Sequence, residues 1–334
     1  MQPPCAAVPL SRPALMRRGV DFTRAAWAAG LRADERGPAQ LRPVAVDFPL
    51  PARNVARVRC GGTVVIATAA DRLVEPHPRR PRHGMLNCNV RQNPTERDVQ
   101  AQSQARRQLA AFLERVIKGG GVLDTESLCV LPGRRVWSIT IDVVVLNDEG
   151  NTTDAAVWAT MALLLHYRRP EITVRGNNVI VHPPHERDPV PLSIHHTPLS
   201  FGFVITAAPG TREKLARKTG TDVSETALDV VVDPTVEESL AAAATLVVAI
   251  NAEGQVCAVS KTEGCCIRVA ELNQCIQTAS ILAPRVMELI RDAMAAHDAK
   301  RQKTVKGQFL WAQKRAGVSR VEEPETAKKK KEES

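Results

Sequence analysis

Residues 146–167, with the sequence LNDEGNTTDAAVWATMALLLHY, combine the features of a phosphate site. Acidic residues and a glycine follow an apolar strand, and a helix is predicted to begin behind Asn151, Thr152 and Thr153. The first turn of a helix has unpaired backbone N–H groups, and the helix dipole favours an anion there. The stretch therefore fits a phosphate-handling active site, or the remains of one.

A second candidate for phosphate chemistry is the loop EPHPRRPRH, which contains Arg79, Arg80 and Arg82. Its prolines keep the chain extended and exclude the loop from a central strand. Three guanidinium groups within four residues suit the phosphates of RNA. The alternative is a solvated surface loop that binds nothing.

Histidine and cysteine residues are spaced poorly for a metal site. His182, His185, His195 and His196 lie in VHPPHERDPVPLSIHH, where prolines interrupt any helix, so structural packing is favoured over zinc. None of the eight cysteines forms a C-x-x-C pair, which favours reduced, partly buried thiols of an intracellular protein. We therefore expect neither a metal nor a cofactor.

Composition describes an ordinary globular body with a basic tail. Of the 334 residues, 44% are hydrophobic and 24% are charged. No apolar run reaches the roughly 18 residues that a membrane span needs, so no membrane partner is expected. The net charge is +9, but from Lys300 onward eleven Lys or Arg face only five Glu. The basic charge thus belongs mainly to a tail that we expect to be disordered, and by itself does not make the body a nucleic-acid binder.

Hydrophobic periodicity places the candidate residues among strands and helices. Residues 55–68 predict two strands that turn at Gly61 and Gly62, and residues 171–182 predict a second hairpin. A helix capped by Thr95 is predicted over 95–118. Residues 136–146 alternate as a strand, with one apolar face made of Trp137, Ile139, Ile141, Val143 and Val145.

The second half of the chain repeats the order of strands followed by helix. Strands are predicted in LSFGFVI, LDVVVD and TLVVAINAEGQVCAVS. A helix is predicted from Val269, which Pro284 ends or kinks before another helix continues. Residues 207–222 form a polar insertion, and the N-terminal residues fit a frayed leader better than a transit peptide. Two similar α/β halves are therefore predicted.

Four motifs, in this order, resemble a known family: DTESLCV (124–130), LNDEGN (146–151), RRP (168–170) and ERDPVPLSIHH (186–196). They are similar to the RNase PH-like subunits of the eukaryotic RNA exosome of the polymyositis/scleroderma autoantigen type. The resemblance extends from about Arg32 to about Lys300. It implies an α+β (α/β) RNase PH-like fold of two βαβα halves, like domain 2 of ribosomal protein S5.

The resemblance also divides the chain and implies its partners. The expected segments are an N-terminal extension (1–30), a first half (31–206), the insertion (207–222), a second half (223–305) and a flexible charged tail (306–334). Such subunits form a six-membered ring under RNA-binding cap subunits, and the ring threads single-stranded RNA towards a separate 3′→5′ exoribonuclease. The implied location is the nucleus, including the nucleolus, and the cytoplasm. A KKKK run in the tail fits nuclear import.

The motifs of active relatives indicate that the catalytic groups are missing here. Those relatives carry DGGTR before the helix, so Thr152 stands in place of the arginine that grips phosphate, and Glu149 adds negative charge beside it. They also carry two aspartates six residues apart. With Asp233 aligned to the second, Ala227 occupies the first position, and Asp229 is an imperfect substitute.

The resemblance further assigns contact residues for RNA. Ala101 and Ala111 stand where relatives carry RNA-gripping arginines on the helix, and Arg97, Arg106 and Arg107 lie nearby, out of register. The loop of Arg79, Arg80 and Arg82 corresponds to one near the channel entrance, which favours RNA contact.

Subunit contacts are expected at Arg32 and Arg36, while Arg187 and Asp188 are expected to form a buried or interfacial ion pair. The predicted function is a non-catalytic ring subunit that guides RNA for rRNA maturation, RNA surveillance and mRNA turnover. The alternative is a phosphorolytic 3′→5′ exoribonuclease with a residual active site.

Overall fold

Alternating apolar residues build a first sheet of six strands. The computed structural model describes residues 12–49, 53–92, 99–176, 178–183, 186–206 and 229–315. The strand order is β1-β2-β3-β6-β4, with β5 paired to β6, and only the β4–β6 pair is parallel within these ranges. The strands are β1 (Val44–Asp47), β2 (Val55–Cys60), β3 (Thr63–Val74), β4 (Met85–Gln92), β5 (Cys129–Leu131) and β6 (Arg135–Asn147).

Three helices accompany this sheet. They are α1 (Arg12–Ala28), α2 (Val99–Glu114), which continues into a π-helical turn (Arg115–Gly119), and α3 (Thr152–His166). Helix α3 is apolar on all sides, and twelve of its fifteen residues are buried. It contacts β2 and β3 on one side and the second sheet on the other, so it forms the centre of the core.

The second sheet contains four antiparallel strands in the order β12-β11-β13-β14. Two short pairs, β7 with β10 and β8 with β9, precede it. The bounds are β7 (Arg168–Arg169), β8 (Ile172–Arg175), β9 (Asn178–Val181), β10 (Val190–Pro191), β11 (Leu199–Ile205), β12 (Val230–Val232), α4 (Val236–Ala241), β13 (Ala244–Ile250), β14 (Val256–Gly264) and α5 (Val269–Arg315). Helix α5 packs on both sheets, through β13 and β11 of the second and β1 of the first.

Most of the predicted elements are confirmed. The hairpin turns at Gly61 and Gly62, and the residues on the apolar face of β6 are all buried. The hairpin β8–β9 and the strands of the second sheet also lie where periodicity placed them. The cap at Thr95 and the insertion 207–222 fall outside the described residues.

Three expectations about the chain's segments are wrong. Residues 12–28 are helical instead of frayed, because Trp27 is buried against Val204, Val231 and Ala241 of the second half. Helix α5 continues to Arg315, ten residues into the predicted flexible tail. Of the two alternatives at Pro284, an end of the helix is excluded, because α5 continues through that residue. The boundary at residue 206 cuts off β11, which pairs with β12 and β13 and therefore belongs to the second sheet.

Candidate functional site

A cleft of about 630 Å³ opens between the two halves at the N-terminus of α3. Helix α2 forms one wall and the second sheet forms the other. The loop 148–153 forms the floor, so the stretch with phosphate-site features does face a ligand-sized space. The charged and hydroxyl side chains among its described lining residues are Arg115, Asp148, Thr152, Thr153, Ser239, Thr245, Ser260, Lys261 and Thr262.

Polar groups of the loop before α3 form hydrogen bonds with each other. Thr152 donates its hydroxyl to Asp148 Oδ1 at 2.6 Å, and the Gly150 N–H donates to the same oxygen at 3.0 Å. A threonine in this position brings no positive charge, and its one proton is already shared with a carboxylate. The prediction that Glu149 lies beside the pocket is wrong: its side chain lies against Gly62 in the β2–β3 turn, and Asp148 lines the cleft instead.

Asp233, aligned with the second catalytic aspartate of active relatives, is fully buried and ion-paired. Its carboxylate accepts hydrogen bonds from Arg36, Arg42 and Asn151 at 2.8–3.1 Å. Burial acts to raise its pKa, but the hydrogen bonds and charge of Arg42 outweigh burial and lower the pKa of Asp233 below its usual value. Asp233 is therefore ionised at neutral pH, and both of its carboxylate oxygens already accept hydrogen bonds within the chain.

Arg42 extends this ion pair to the phosphate-site loop. Its guanidinium contacts Asp233 and also donates to the carbonyl oxygens of Glu149 and Gly150, at 3.1 and 2.9 Å. The loop thus depends on an arginine 107 residues away in sequence. We name Arg32, Arg36, Arg42, Asp233 and Glu238 the arginine–carboxylate network.

Arg32 and Arg36, both predicted at subunit contacts, have partners within the chain. The Arg32 side chain is completely buried and donates to both carboxylate oxygens of Glu238, at 2.8 and 2.7 Å. Arg36 is mostly buried and donates to Asp34 and Asp233. Both arginines join the N-terminal segment to the second half within one chain, so neither guanidinium lies free on the surface.

Asp154 is a buried carboxyl that the sequence did not single out. It accepts the backbone N–H of Gly202 at 2.6 Å and the side-chain amide of Asn151 at 2.7 Å. Burial raises its pKa to about 7, against the lowering effect of these hydrogen bonds. Asn151 adopts φ 54°, and a Cβ on Gly202 would lie 2.5 Å from the Asn151 side chain. Gly202 is therefore needed for this close approach.

Among the described residues that line the cleft, the cations are Arg115 and Lys261, neither of which was predicted. Ala111 lines the cleft one turn before Arg115, where relatives carry an arginine. Lys261 lies on β14 and donates to the carbonyl of Gly264 at 3.0 Å. The signal for Arg115 was its helical spacing from Ala111; Lys261 could be found only from the folded arrangement.

Several predicted RNA contacts lie away from the cleft. Arg106 and Arg107 are exposed on α2 but do not line it, and Arg107 donates to the carbonyl of Ser103 at 3.2 Å. Arg97 and Ala227 lie outside the described residues, as does the side chain of Ala101.

The loop of Arg79, Arg80 and Arg82 is exposed and ordered by its own turns. The Arg80 N–H donates to the carbonyl of His77, and the Gly133 N–H donates to that of Pro81. The second bond brings the β5–β6 turn alongside, with Arg134 and Arg135 also exposed. We name Arg79, Arg80, Arg82, Arg134 and Arg135 the arginine patch, which is larger than the sequence predicted.

Arg187 and Asp188 do not form a buried ion pair. Both are exposed, and Arg187 donates to Glu171 at 3.1 Å. Of the nearby histidines, His182 shares side-chain hydrogen bonds with Thr173 and Glu186, and the backbone N–H of His195 donates to the carbonyl of Val122. His185 is outside the described residues.

None of the helices in the described ranges is long and apolar enough to cross a membrane.

Comparison with known proteins assigns the fold and the family. Residues 40–170 match the model of domain 1 of the 3′ exoribonuclease family (RNase_PH), and residues 220–281 match domain 2. Among solved structures, an archaeal exosome core superposes with a TM-score of 0.66 at 20% identity, covering 83% of this chain and 98% of that chain. The chain belongs to the RNase PH-like 3′ exoribonuclease family. The domain 1 match contains the six strands of the first sheet, and the domain 2 match contains β12, β13 and β14 of the second.

Within this family, the chain is similar to exosome subunits. Exosome complex component RRP45A of Arabidopsis thaliana is 32% identical over 84% of this chain and 87% of its own length. RRP45B of the same plant is 31% identical, but the chain spans only 61% of its length. RRP45 of Saccharomyces cerevisiae is 28% identical over 84% of this chain and 92% of its own.

Proposed function

We propose that the chain is a non-catalytic subunit of an exosome core ring. One observation carries the proposal: the carboxylate aligned with a catalytic aspartate, Asp233, is completely buried and held by Arg36, Arg42 and Asn151. A general acid or metal ligand for phosphoryl transfer must reach the scissile bond. Asp233 cannot do so without breaking the ion pairs that hold the two halves together.

Thr152 supports the same conclusion. Phosphorolysis needs positive charge to hold inorganic phosphate beside the RNA, and Thr152 offers a hydroxyl already donated to Asp148. Asp148 itself faces the cleft, where its negative charge repels phosphate. The N-terminus of α3 at Asn151 therefore has a structural role and does not bind phosphate for catalysis.

The proposed partners are other RNase PH-like subunits in a six-membered ring, RNA-binding cap subunits and an associated exoribonuclease. Single-stranded RNA would pass the arginine patch on its way through the ring. The similarity to exosome subunits supports a place in RNA processing and degradation. The proposed location is the nucleus, including the nucleolus, and the cytoplasm.

Phosphate-dependent release of nucleoside diphosphates from single-stranded RNA tests the proposal. We expect no release by the purified chain. With an RNase PH-like partner present, any activity should be unchanged by Asp229→Asn or by Arg115→Ala with Lys261→Ala in this chain. Phosphate-dependent degradation that either set abolishes would mean that the cleft is a working phosphorolytic site and that the proposal is wrong.

A further inference from the structure

Three side chains with metal-ligating atoms meet at the end of α3 opposite the cleft. His166 is the last residue of α3, and His297 and Asp298 lie on α5. His166 Nε2 is 3.7 Å from Asp298 Oδ1, and His297 Nδ1 is 3.8 Å from the same oxygen. All three ligand atoms lie within 4.8 Å of one another. Ligands about 2.0–2.2 Å from a tetrahedral zinc ion lie roughly 3.5 Å apart, so a small adjustment suffices.

Both imidazoles are buried without hydrogen-bond partners. His166 is 1% exposed and His297 is 4% exposed, and none of their four ring nitrogens has a hydrogen-bond partner in the described part of the chain. Buried polar atoms are nearly always satisfied, so four orphaned nitrogens in one place require an explanation. A metal ion between the two rings would satisfy one nitrogen of each.

The protonation state suits a metal ligand. Burial lowers the pKa of His166 to about 4, assisted by His297 and Arg53 and opposed by Asp298. Burial also lowers the pKa of His297. Both rings are therefore neutral at neutral pH, with a lone pair available and no proton to displace.

The surrounding charges define what binding must overcome. Arg53 donates to Asp298 Oδ1 at 3.0 Å, and Arg168 and Arg301 add positive charge nearby. Arg53 Nε is itself buried without a partner. A divalent ion on the Asp298 carboxylate would replace or share the contact with Arg53, and the carboxylate's second oxygen remains for the arginine. Asp298 is 35% exposed, which leaves a path for a water molecule to complete the coordination.

We propose that His166 Nε2, His297 Nδ1 and Asp298 Oδ1 bind one divalent zinc ion that fastens α5 to the end of α3. A set of two imidazoles and one carboxylate favours zinc over calcium or magnesium, which bind mainly oxygen ligands. The ion would fix α5, which is held to the first half elsewhere mainly through β1, against the core. The role is structural, because the cluster lies behind α3 and does not line the cleft.

Zinc titration of the full-length chain in its subunit complex, after chelator treatment and with a competing chromophoric chelator, tests this site. We expect one zinc ion per chain at the cluster. Replacing His166 or His297 with Gln should lower the zinc affinity by at least about tenfold. Even the loss of a residue that only hydrogen-bonds to a metal ligand lowers metal affinity by about 10–100-fold. His77→Gln is the matched control, since His77 is exposed in a loop far from the cluster in sequence.

Two further measurements separate the cluster from the cysteines and from misfolding. Cobalt bound at the cluster should give the visible spectrum of nitrogen and oxygen ligands without thiolate charge-transfer bands. Asp298→Asn changes a partly exposed side chain, so that variant should fold. Its zinc affinity should nevertheless be lower than that of the wild type. Thiolate bands, or equal zinc affinity in wild type, Asp298→Asn and the two histidine variants, would overturn the proposal.

Discussion

The arginine–carboxylate network shows how a buried charge is sustained. Asp233 adopts φ 51°, an uncommon backbone conformation, and its backbone carbonyl also accepts from Arg32 and Arg36. Removing one partner of a buried ion pair costs more than the pair itself contributes, because the other charges remain buried and unpaired. Substitution of a single residue of the network should therefore lower the free energy of unfolding strongly.

Replacing Asp233 with Ala should lower the free energy of unfolding by about 3–5 kcal/mol, because Arg42 and Arg36 would lose their buried partner. Denaturant unfolding of both variants measures this. Asp188→Ala is the control; Asp188 is exposed, so its loss should change stability by less than about 0.5 kcal/mol. Similar small losses in the two variants would show that the network contributes little.

His166 makes stability depend on pH in a defined window. Its pKa is about 4 in the folded chain and 6.5 ordinarily, so between these values only the unfolded chain takes up the proton. The contribution is present above pH 6.5 and is lost as the pH falls towards 4. The stability difference between wild type and His166→Gln should shrink over this range by on the order of 3 kcal/mol.

Urea unfolding with a chelator present measures this difference. Asp154 acts in the opposite direction, since its pKa is raised to about 7, but it is the same in both chains and cancels. His77→Gln should run parallel to wild type. A constant gap between wild type and His166→Gln would mean that His166 titrates normally.

Individual partners were beyond sequence reasoning for a physical reason. Arg32 and Glu238 are 206 residues apart, and nothing local distinguishes them from surface charges. The losses predicted at Thr152 and Ala227 rest on short motifs that set the alignment of these positions. The contacts that decide whether an arginine is buried are long-range and follow only from the packing of the halves.

We expect helix α1 to stabilise the chain mainly through one aromatic residue, Trp27. Trp27 is 2% exposed and packs on Val204 and Val231, while Phe22 on the same helix is 63% exposed. Trp27→Ala should destabilise the chain by about 3–5 kcal/mol. Phe22→Ala is the matched control and should cost little. Thermal unfolding compares them, and an unchanged midpoint for Trp27→Ala would indicate that α1 is dispensable.

The loop between β3 and β4 is the element predicted to meet RNA. Replacing Arg79, Arg80 and Arg82 with Ala should lower the slope of log affinity against log salt by up to about 2, since each phosphate contact on a single strand contributes ~0.7. Such contacts read no base, so all sequences should weaken similarly. The measurement is RNA binding by the assembled complex across a salt series.

Arg175, Arg285 and Arg291, all exposed on other elements, form the matched control for net charge. Their replacement with Ala should leave the slope closer to wild type. Equal slopes for wild type and the loop variant would mean that RNA takes another path. The β5–β6 turn allows an extension, since Arg134→Ala with Arg135→Ala should lower the slope further if the whole arginine patch contacts RNA.

Elements were predicted well where periodicity was strong and poorly where tertiary packing decided. The alternation of β6 gave both the strand and its buried face. The helix does not end at Pro284, because packing holds the turns on either side: Leu282, Ala283, Val286 and Met287 are all buried. The packing of α1 through Trp27 was also not predicted, because the apolar periodicity of residues 12–28 is weak.

At the scale of the molecule, the outer strands of both sheets pair on one side only within the described residues. β14 terminates the second sheet and exposes Val256 and Val259, and α5 exposes Ile281 and Leu289. Such edges and apolar residues favour association. We therefore expect the isolated chain to self-associate at micromolar concentration, and to form a defined hetero-oligomer when produced with an RNase PH-like partner. Mass measurement decides, and a stable monomer would count against this expectation.

Asp233 also affects how related genomes should be searched. A carboxylate that the chain needs in order to fold will be kept by selection for stability, whether or not RNA is ever cut at that position. Its presence in a newly sequenced relative is then no marker of activity. The residue equivalent to Thr152, together with the residue aligned with Ala227, is the better one to inspect when active exoribonucleases are distinguished from inactive relatives.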